Sequence, residues 1–144
     1  MYKKSHKRGF TLIELMLVVI IISVLVAMVV PRLVGRSQQA RIAAAQAQIE
    51  AHLATALDLY ELDNGAYPTT EQGLSALRVK PSAPPVPPNW KGPYIKKTPK
   101  DPWGNPYVYV SPGTNNTQDY DLSSYGPDGI ESADDIVNWE AEEE

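Results

Sequence analysis

From Phe10 to Val30 the chain runs through 21 residues of which only Thr11, Glu14 and Ser23 are polar. Drawn as an α-helix, that run is about 30 Å long, the thickness of a bilayer's hydrocarbon core. A small domain has no core able to surround a helix that is apolar on every side, so the run predicts a helix set in lipid or among other apolar helices. Lys3, Lys4, Lys7 and Arg8 precede it. Such a basic cluster holds the N-terminus on the cytoplasmic side and puts the remainder outside. A cleavable secretory signal is the alternative. The run is longer than an ordinary signal core, and Pro31-Arg32 is a poor continuation of a small-residue cleavage site.

Glu14 is the anomaly in this run. A carboxylate at mid-bilayer costs about 2.5–3.5 kcal/mol on insertion scales, and less near a helix end. The plain reading is that it reaches back to the headgroups. The sharper reading gives it a cationic partner. Cutting the chain between Gly9 and Phe10 would create an α-amino group four residues before Glu14, on the same helix face. That amine is cationic near neutral pH and could neutralise Glu14 of its own chain or of a neighbour. In the second case the pair would set the register of an assembly.

A basic leader, then "GFTLIEL", then one long apolar helix resembles the class III signal of type IV pilins and type II secretion pseudopilins. The resemblance implies that a prepilin peptidase cuts after Gly9 and N-methylates Phe10. It also implies that Glu14 serves subunit assembly. The leader is then residues 1–9, and the transmembrane and assembly helix is residues 10–30.

Residues 31–139 read as one periplasmic domain. Pro31 predicts a kink or local melt near Met28–Pro31, because it lacks an N–H and clashes with the preceding turn. The helix then resumes. Ile42, Ala45, Ile49, Leu53, Ala56 and Tyr60 recur at steps of three and four and define one apolar face. "DNG" at 63–65 ends the helix, with Asn64-Gly65 as a C-terminal cap. A helix from Phe10 to about Asp63 is roughly 80 Å long, and a small domain buries only part of it. Beyond it, Thr70 is expected to cap a short helix over 71–77 with Leu74 and Leu77 inward. The proline-rich stretch "KPSAPPVPPNWKGPY" predicts a stiff loop laid over a sheet through Trp90 and Tyr94. Strands are expected at Tyr107–Val110, Tyr120–Ser124 and Ile136–Trp139, after a turn over Trp103–Pro106. The fold class is α+β: a long N-terminal helix packed on a small antiparallel sheet, pilin-like, with ordered loops.

"LDNGAYPTTEQGLSAL", "DPWGNPY" and "GPDG…DDIVNW" resemble the major pseudopilins of type II secretion systems, over nearly all of the chain from Gly9 to Trp139. Ordinary type IV pilins carry a C-terminal cysteine pair; this chain has no cysteine. Thiolate chemistry and disulfides are thereby excluded, and something else must hold the loops.

Residues 119–144 carry ten acids and no Lys or Arg. Within "YGPDGIESADDI", Asp128, Glu131, Ser132, Asp134 and Asp135 offer the hard oxygen donors that calcium takes. The register is not that of an EF-hand, and a solvated acidic segment is the plain alternative. The resemblance implies one structural calcium here. It would be held by Asp128 and Asp135 with the main-chain carbonyls of Tyr125 and Ser132, and with Asp134 as a further candidate. The loop between Asp128 and Asp135 is a few residues shorter than is usual in that family. Residues 140–144 extend past its usual end as an acidic tail.

Nothing points to an enzyme. His6 lies in the leader, His52 has no evident partner, and no P-loop, GxSxG or HExxH occurs. Tyr67, Trp90, Tyr94, Trp103, Tyr107 and Trp139 suit a sugar or peptide groove, or simply core packing under loops. The resemblance implies a structural subunit that polymerises with itself into a short periplasmic filament. Its expected partners are minor pseudopilins, the prepilin peptidase, the inner-membrane assembly platform and membrane lipid, with no nucleic acid among them. The alternatives are a surface pilus for adhesion or DNA uptake and a monomeric membrane-tethered calcium module.

Overall fold

The computed structural model describes residues 9–140 and, at residues 29–34, the backbone alone. The leader ahead of Gly9 and the tail acids Glu142, Glu143 and Glu144 lie outside the described residues. The chain divides into two units, Met1–Gln39 and Ala40–Glu144.

In the first unit, helix α1 (Leu12–Ala47, which continues into the second) begins at Thr11 and Glu14. Thr11 N–H and hydroxyl donate to Glu14 Oε2 at 2.8 and 2.9 Å, and Glu14 N–H donates back to Thr11 Oγ1 at 3.3 Å. This T-x-x-E pattern is a capping box, which satisfies two of the donors a helix start leaves open. Ser23 hydroxyl donates to Val19 O at 2.7 Å, so the third polar residue of the run is also satisfied within the helix. The apolar side chains from Phe10 to Met28 are exposed, Phe10 by 84% and Leu25 by 56%. Among the described residues no helix is long and apolar enough to cross a membrane. The span expected over 10–30 includes Val29 and Val30, whose side chains lie outside the described set.

The expected melt at Pro31 does not occur: α1 is helical throughout its 36 residues. One proline removes one backbone bond, and the flanking turns keep theirs. The interruption comes later. Gln48–Leu53 is a π-helical turn, and α2 (Ala54–Asn64) follows it. The buried stripe is as expected: Ala45, Ile49, Leu53, Ala56 and Tyr60 are at most 4% exposed, while Ile42 stays at 39%. Gly65 closes α2 in the left-handed region (φ 82°), donating to Glu61 O at 2.6 Å. Asn64 Nδ2 donates to Tyr60 O at 2.8 Å. The Asn-Gly cap acts as its chemistry predicts.

Thr70 does not cap the next turn, which is a 3₁₀ helix over Gly73–Leu77. Thr69 closes the turn that leads into it in a second reciprocal pair: Gln72 N–H donates to Thr69 Oγ1 at 3.3 Å and Thr69 N–H donates to Gln72 Oε1 at 3.2 Å. Thr70 is drawn away by Ser111, to whose N–H and carbonyl its hydroxyl bonds at 2.9 and 3.1 Å. Leu74 and Leu77 are buried as the spacing requires.

The sheet is an antiparallel meander of β1 (Val108–Val110), β2 (Asp121–Ser124) and β3 (Ile136–Val137), in that order. Tyr109 pairs with Leu122, and both point into the core against the helix stripe. Val108, Val110, Asp121 and Ser123 therefore share the other face. β3 is shorter than expected because Asn138 leaves the strand. Its side chain accepts from Leu122 N–H at 2.8 Å and donates to Tyr120 O at 3.0 Å.

Trp90 and Tyr94 hold the proline-rich loop, but on the helices and not on the sheet. Trp90 Nε1 donates to Ala76 O at 2.9 Å, and Tyr94 stacks edge-on against Tyr60 at 5.6 Å. Gln72 Nε2 donates to Ala83 O and Pro85 O at 3.1 and 2.9 Å. The reason is local: prolines offer carbonyls without N–H groups, so a buried amide donor serves them better than a strand edge does.

Candidate functional site

Two regions hold the expected site residues. At the first, Gly9 and Phe10 are exposed just ahead of α1. An exposed, non-helical Gly9-Phe10 bond is one a peptidase can reach. Four residues on, the Glu14 carboxylate is held toward the helix start by Thr11. Thr11 was not among the expected site residues. The signal for it was the T-x-x-E spacing, readable in the sequence.

The second region is the turn from Tyr125 to Asp135. Gly126 and Gly129 bend it at φ 66° and 70°. Ser132 hydroxyl donates to Asp134 Oδ1 at 2.6 Å and lies 3.4 Å from Asp135 Oδ1. Ser132 therefore brings Asp134 and Asp135 together. Asp128 is turned to its own loop, accepting from Ile130 N–H at 3.3 Å. Glu131 is exposed. Among the described residues no three His, Cys, Asp or Glu side chains gather as a metal cluster. The residues expected to hold calcium, Asp128, Asp134 and Asp135 with the Tyr125 and Ser132 carbonyls, would offer oxygen donors alone, which suit calcium and not zinc or copper.

Two further acids hold loops by hydrogen bonds. Asp101 Oδ1 accepts from Trp103 and Asn105 N–H at 3.0 and 2.8 Å, and its Oδ2 accepts from Ser124 hydroxyl at 2.7 Å. This closes "DPWGNPY" and ties it to β2. Asp121 accepts from the N–H groups of Thr114, Asn115 and Asn116 at 2.7–2.9 Å and from Asn115 Nδ2 at 3.0 Å. Burial pushes the Asp121 carboxyl up, but the Asn115, Asn116 and Thr114 donors reverse that and leave it below its ordinary value. Gly113 is required here: a Cβ would fall 2.6 Å from Asp121 Oδ1 and from Asn116 O. The exposed Lys91 pairs with the half-buried Asp63 at 2.6 Å. Lys91 and then Tyr94 hold the Asp63 carboxyl low.

The family description "Type II secretion system (T2SS), protein G" matches residues 32–139, three quarters of the chain. The chain belongs to that family. The "Prokaryotic N-terminal methylation motif" matches residues 4–30 and so covers Gly9, Phe10 and Glu14. The type II secretion system core protein G of Pseudomonas aeruginosa is 50% identical over 143 residues, covering 96% of this chain and 99% of that one. Its counterpart in Escherichia coli K12 is 51% identical over 137 residues, covering 94% and 92%. A crystal structure of the major pseudopilin from the type 2 secretion system of enterohaemorrhagic Escherichia coli superposes with a TM-score of 0.66 at 43% identity. It covers 73% of this chain and 87% of that one. The α+β architecture, with a helix stripe on a three-stranded meander, is that of this family.

Proposed function

We propose that this chain is the major structural subunit of a type II secretion pseudopilus. A prepilin peptidase removes residues 1–9 and methylates the Phe10 amine. The helix over 10–30 anchors the subunit in the inner membrane, with its C-terminal domain in the periplasm. Copies then leave the bilayer and stack into a short filament with minor pseudopilins, built on the inner-membrane platform, which moves folded proteins across the outer membrane. The observation that carries this reading is a helix exposing apolar side chains from Phe10 to Met28 with one ordered carboxylate at its head. Packing such helices together removes that surface from solvent or lipid. The Glu14 carboxylate, already oriented by Thr11, is the group a cationic Phe10 amine would meet.

In the same reading Asp128 and Asp135 hold one calcium ion, with the Tyr125 and Ser132 carbonyls and Asp134 as further oxygen donors. The ion supplies a cross-link that closes the C-terminal turn. Ser132 keeps Asp134 and Asp135 side by side for it.

The test is fibre formation by the full chain, expressed with its peptidase and platform and examined by electron microscopy of sheared cells. Native protein is expected to give short fibres. Glu14→Ala is expected to remain inserted and processed while fibres fall by at least about tenfold, the loss of roughly 1.4 kcal/mol per assembly contact. Equal fibre yields from the variant would remove the assembly role of Glu14, and a native chain that stays monomeric would remove the proposal.

A further inference from the structure

We infer that, before assembly, the neck of the proline-rich loop docks on the phosphate headgroups of an anionic bilayer. This docking rests on the reading of residues 10–30 as the anchor and assigns a surface of the domain itself to lipid. Every Lys and Arg after Arg41 falls within residues 78–100, which hold no acid. Backbone bonds gather that charge. The N–H groups of Tyr94 and Ile95 donate to Leu77 O at 2.7 and 3.4 Å, so the two ends of the loop meet at Leu77. Arg78 and Lys80 leave from that point, and Lys96 and Lys97 return to it. All four are exposed. Among the described residues the ion pair of the loop is Lys91 with Asp63, so no acid neutralises these four.

Val79 decides the kind of partner. It stands between Arg78 and Lys80 and is 64% exposed. Its N–H and that of Arg78 both donate to Ser75 O at 3.0 Å, which keeps the segment closed on the end of the 3₁₀ helix. An apolar side chain flanked by cations is the pattern of an interfacial anchor: the cations hold phosphates and the apolar group sinks below them. The Lys and Arg stems lie along acyl surface while their heads stay at phosphate level. An acidic peptide would satisfy the cations and leave Val79 in water. Tethering favours lipid again. The apolar run ends at Val30 and the buried face of the helix begins at Ala45. The chain that carries the patch therefore also holds it beside a bilayer, at the high effective concentration of an intramolecular contact.

The chain contains no cysteine, so one introduced at a time takes a single fluorophore. Ser82→Cys reports on the loop and Gln118→Cys, beside Asp119, is the reference; both positions are exposed. The full chain is reconstituted in vesicles of phosphatidylcholine, alone or mixed equally with phosphatidylglycerol, with a quencher carried on lipid headgroups. The label at Ser82→Cys is expected to be quenched in the anionic vesicles, to lose that quenching in high salt, and to be unquenched in phosphatidylcholine alone. The label at Gln118→Cys is expected to be unquenched in both. Lys96→Gln with Lys97→Gln is expected to lower the docked-to-free ratio by about thirtyfold. Val79→Ser is expected to lower it by about tenfold. Quenching at Ser82→Cys that is the same in the two lipids, or equal at the two label positions, overturns the proposal. So does shielding of that label from an aqueous quencher that grows with protein density and not with phosphatidylglycerol, since a second copy would then cover the loop. Flotation of the vesicles after an alkaline wash separates this docking from the anchor. A chain that stays with the vesicles while its loop is unquenched removes the docking alone; a chain that is washed off removes the anchor reading and the docking with it.

Discussion

Thr11 and Glu14 are reciprocally bonded at the head of the apolar helix, with 2.8 Å from Thr11 N–H to Glu14 Oε2 and 2.9 Å from the Thr11 hydroxyl to the same oxygen. One oxygen of the only acid in the run therefore has two donors before any neighbour arrives. This separates two jobs that a single substitution at Glu14 would merge. Thr11→Ala removes the hydroxyl and keeps the backbone donor, at a cost of about 1 kcal/mol in helix-start stability. The expected result is a fibre yield between those of native chain and Glu14→Ala, with cleavage after Gly9 unchanged. A yield as low as that of Glu14→Ala would mean that Thr11 itself makes the contact between subunits.

Asp121 holds the 113–116 loop by four donors. Its folded carboxyl titrates below the unfolded one, so it contributes stability above the ordinary value of 3.8, and this is lost as pH falls below that value through the depressed one. Asp121→Ala is expected to cost about 2–4 kcal/mol at neutral pH, because buried N–H groups lose their acceptor. Urea unfolding at pH 7 and pH 3 checks both points: the variant's deficit should shrink at pH 3. A deficit that is the same at both pH values would show that the charge is irrelevant.

Much of the fold was legible because it is periodic or local. The stripe through Ala45, Ile49, Leu53, Ala56 and Tyr60 follows from side-chain spacing alone, as does the inward pair Leu74 and Leu77. The Asn64-Gly65 stop follows from one glycine's freedom to adopt positive φ. What was not legible depends on partners far away in sequence. Thr69 and Thr70 are chemically identical, and Ser111, 41 residues on from Thr70, draws Thr70 away and leaves Thr69 to close the turn with Gln72. The π turn at Gln48–Leu53 has no periodicity signal, and its polar contact comes from Tyr107, 59 residues away. Nothing local marks Asp101 or Asp121 as buried acceptors, since only the fold closes the loops that bring donors to them. The turn signal "DPWGN" was there, but the burial of its aspartate was not. The oxygen donors proposed for calcium are readable from composition; their arrangement is not, since it depends on how a loop of fewer residues folds.

The π turn leads to its own expectation. Tyr107 hydroxyl donates to Gln48 Oε1 at 2.8 Å where the helix first meets the sheet. Burial pushes this phenol up to about 12, so it stays a donor throughout the physiological range. Tyr107→Phe is expected to destabilise the domain by about 1 kcal/mol. Amide exchange should quicken at Gln48–Leu53 more than in α2. A uniform change across both segments would show that the hydroxyl does not hold the turn.

Calcium is checked by melting. At a hundredfold excess over Kd a ligand adds about 2.7 kcal/mol. For a domain of this size that corresponds to about 10 °C in Tm. EDTA is expected to lower Tm by that order, added calcium to restore it, and Asp135→Ala to abolish the difference. A melt insensitive to both additions would remove calcium from the account.

The central claim is that Gly9-Phe10 is cut and that the resulting N-terminus is what lets Glu14 enter an assembly. The direct measurement is mass spectrometry of the N-terminal peptide from a sheared fibre fraction. The account predicts a chain beginning with N-methylated Phe10. A chain in that fraction that still carried residues 1–9 would contradict it.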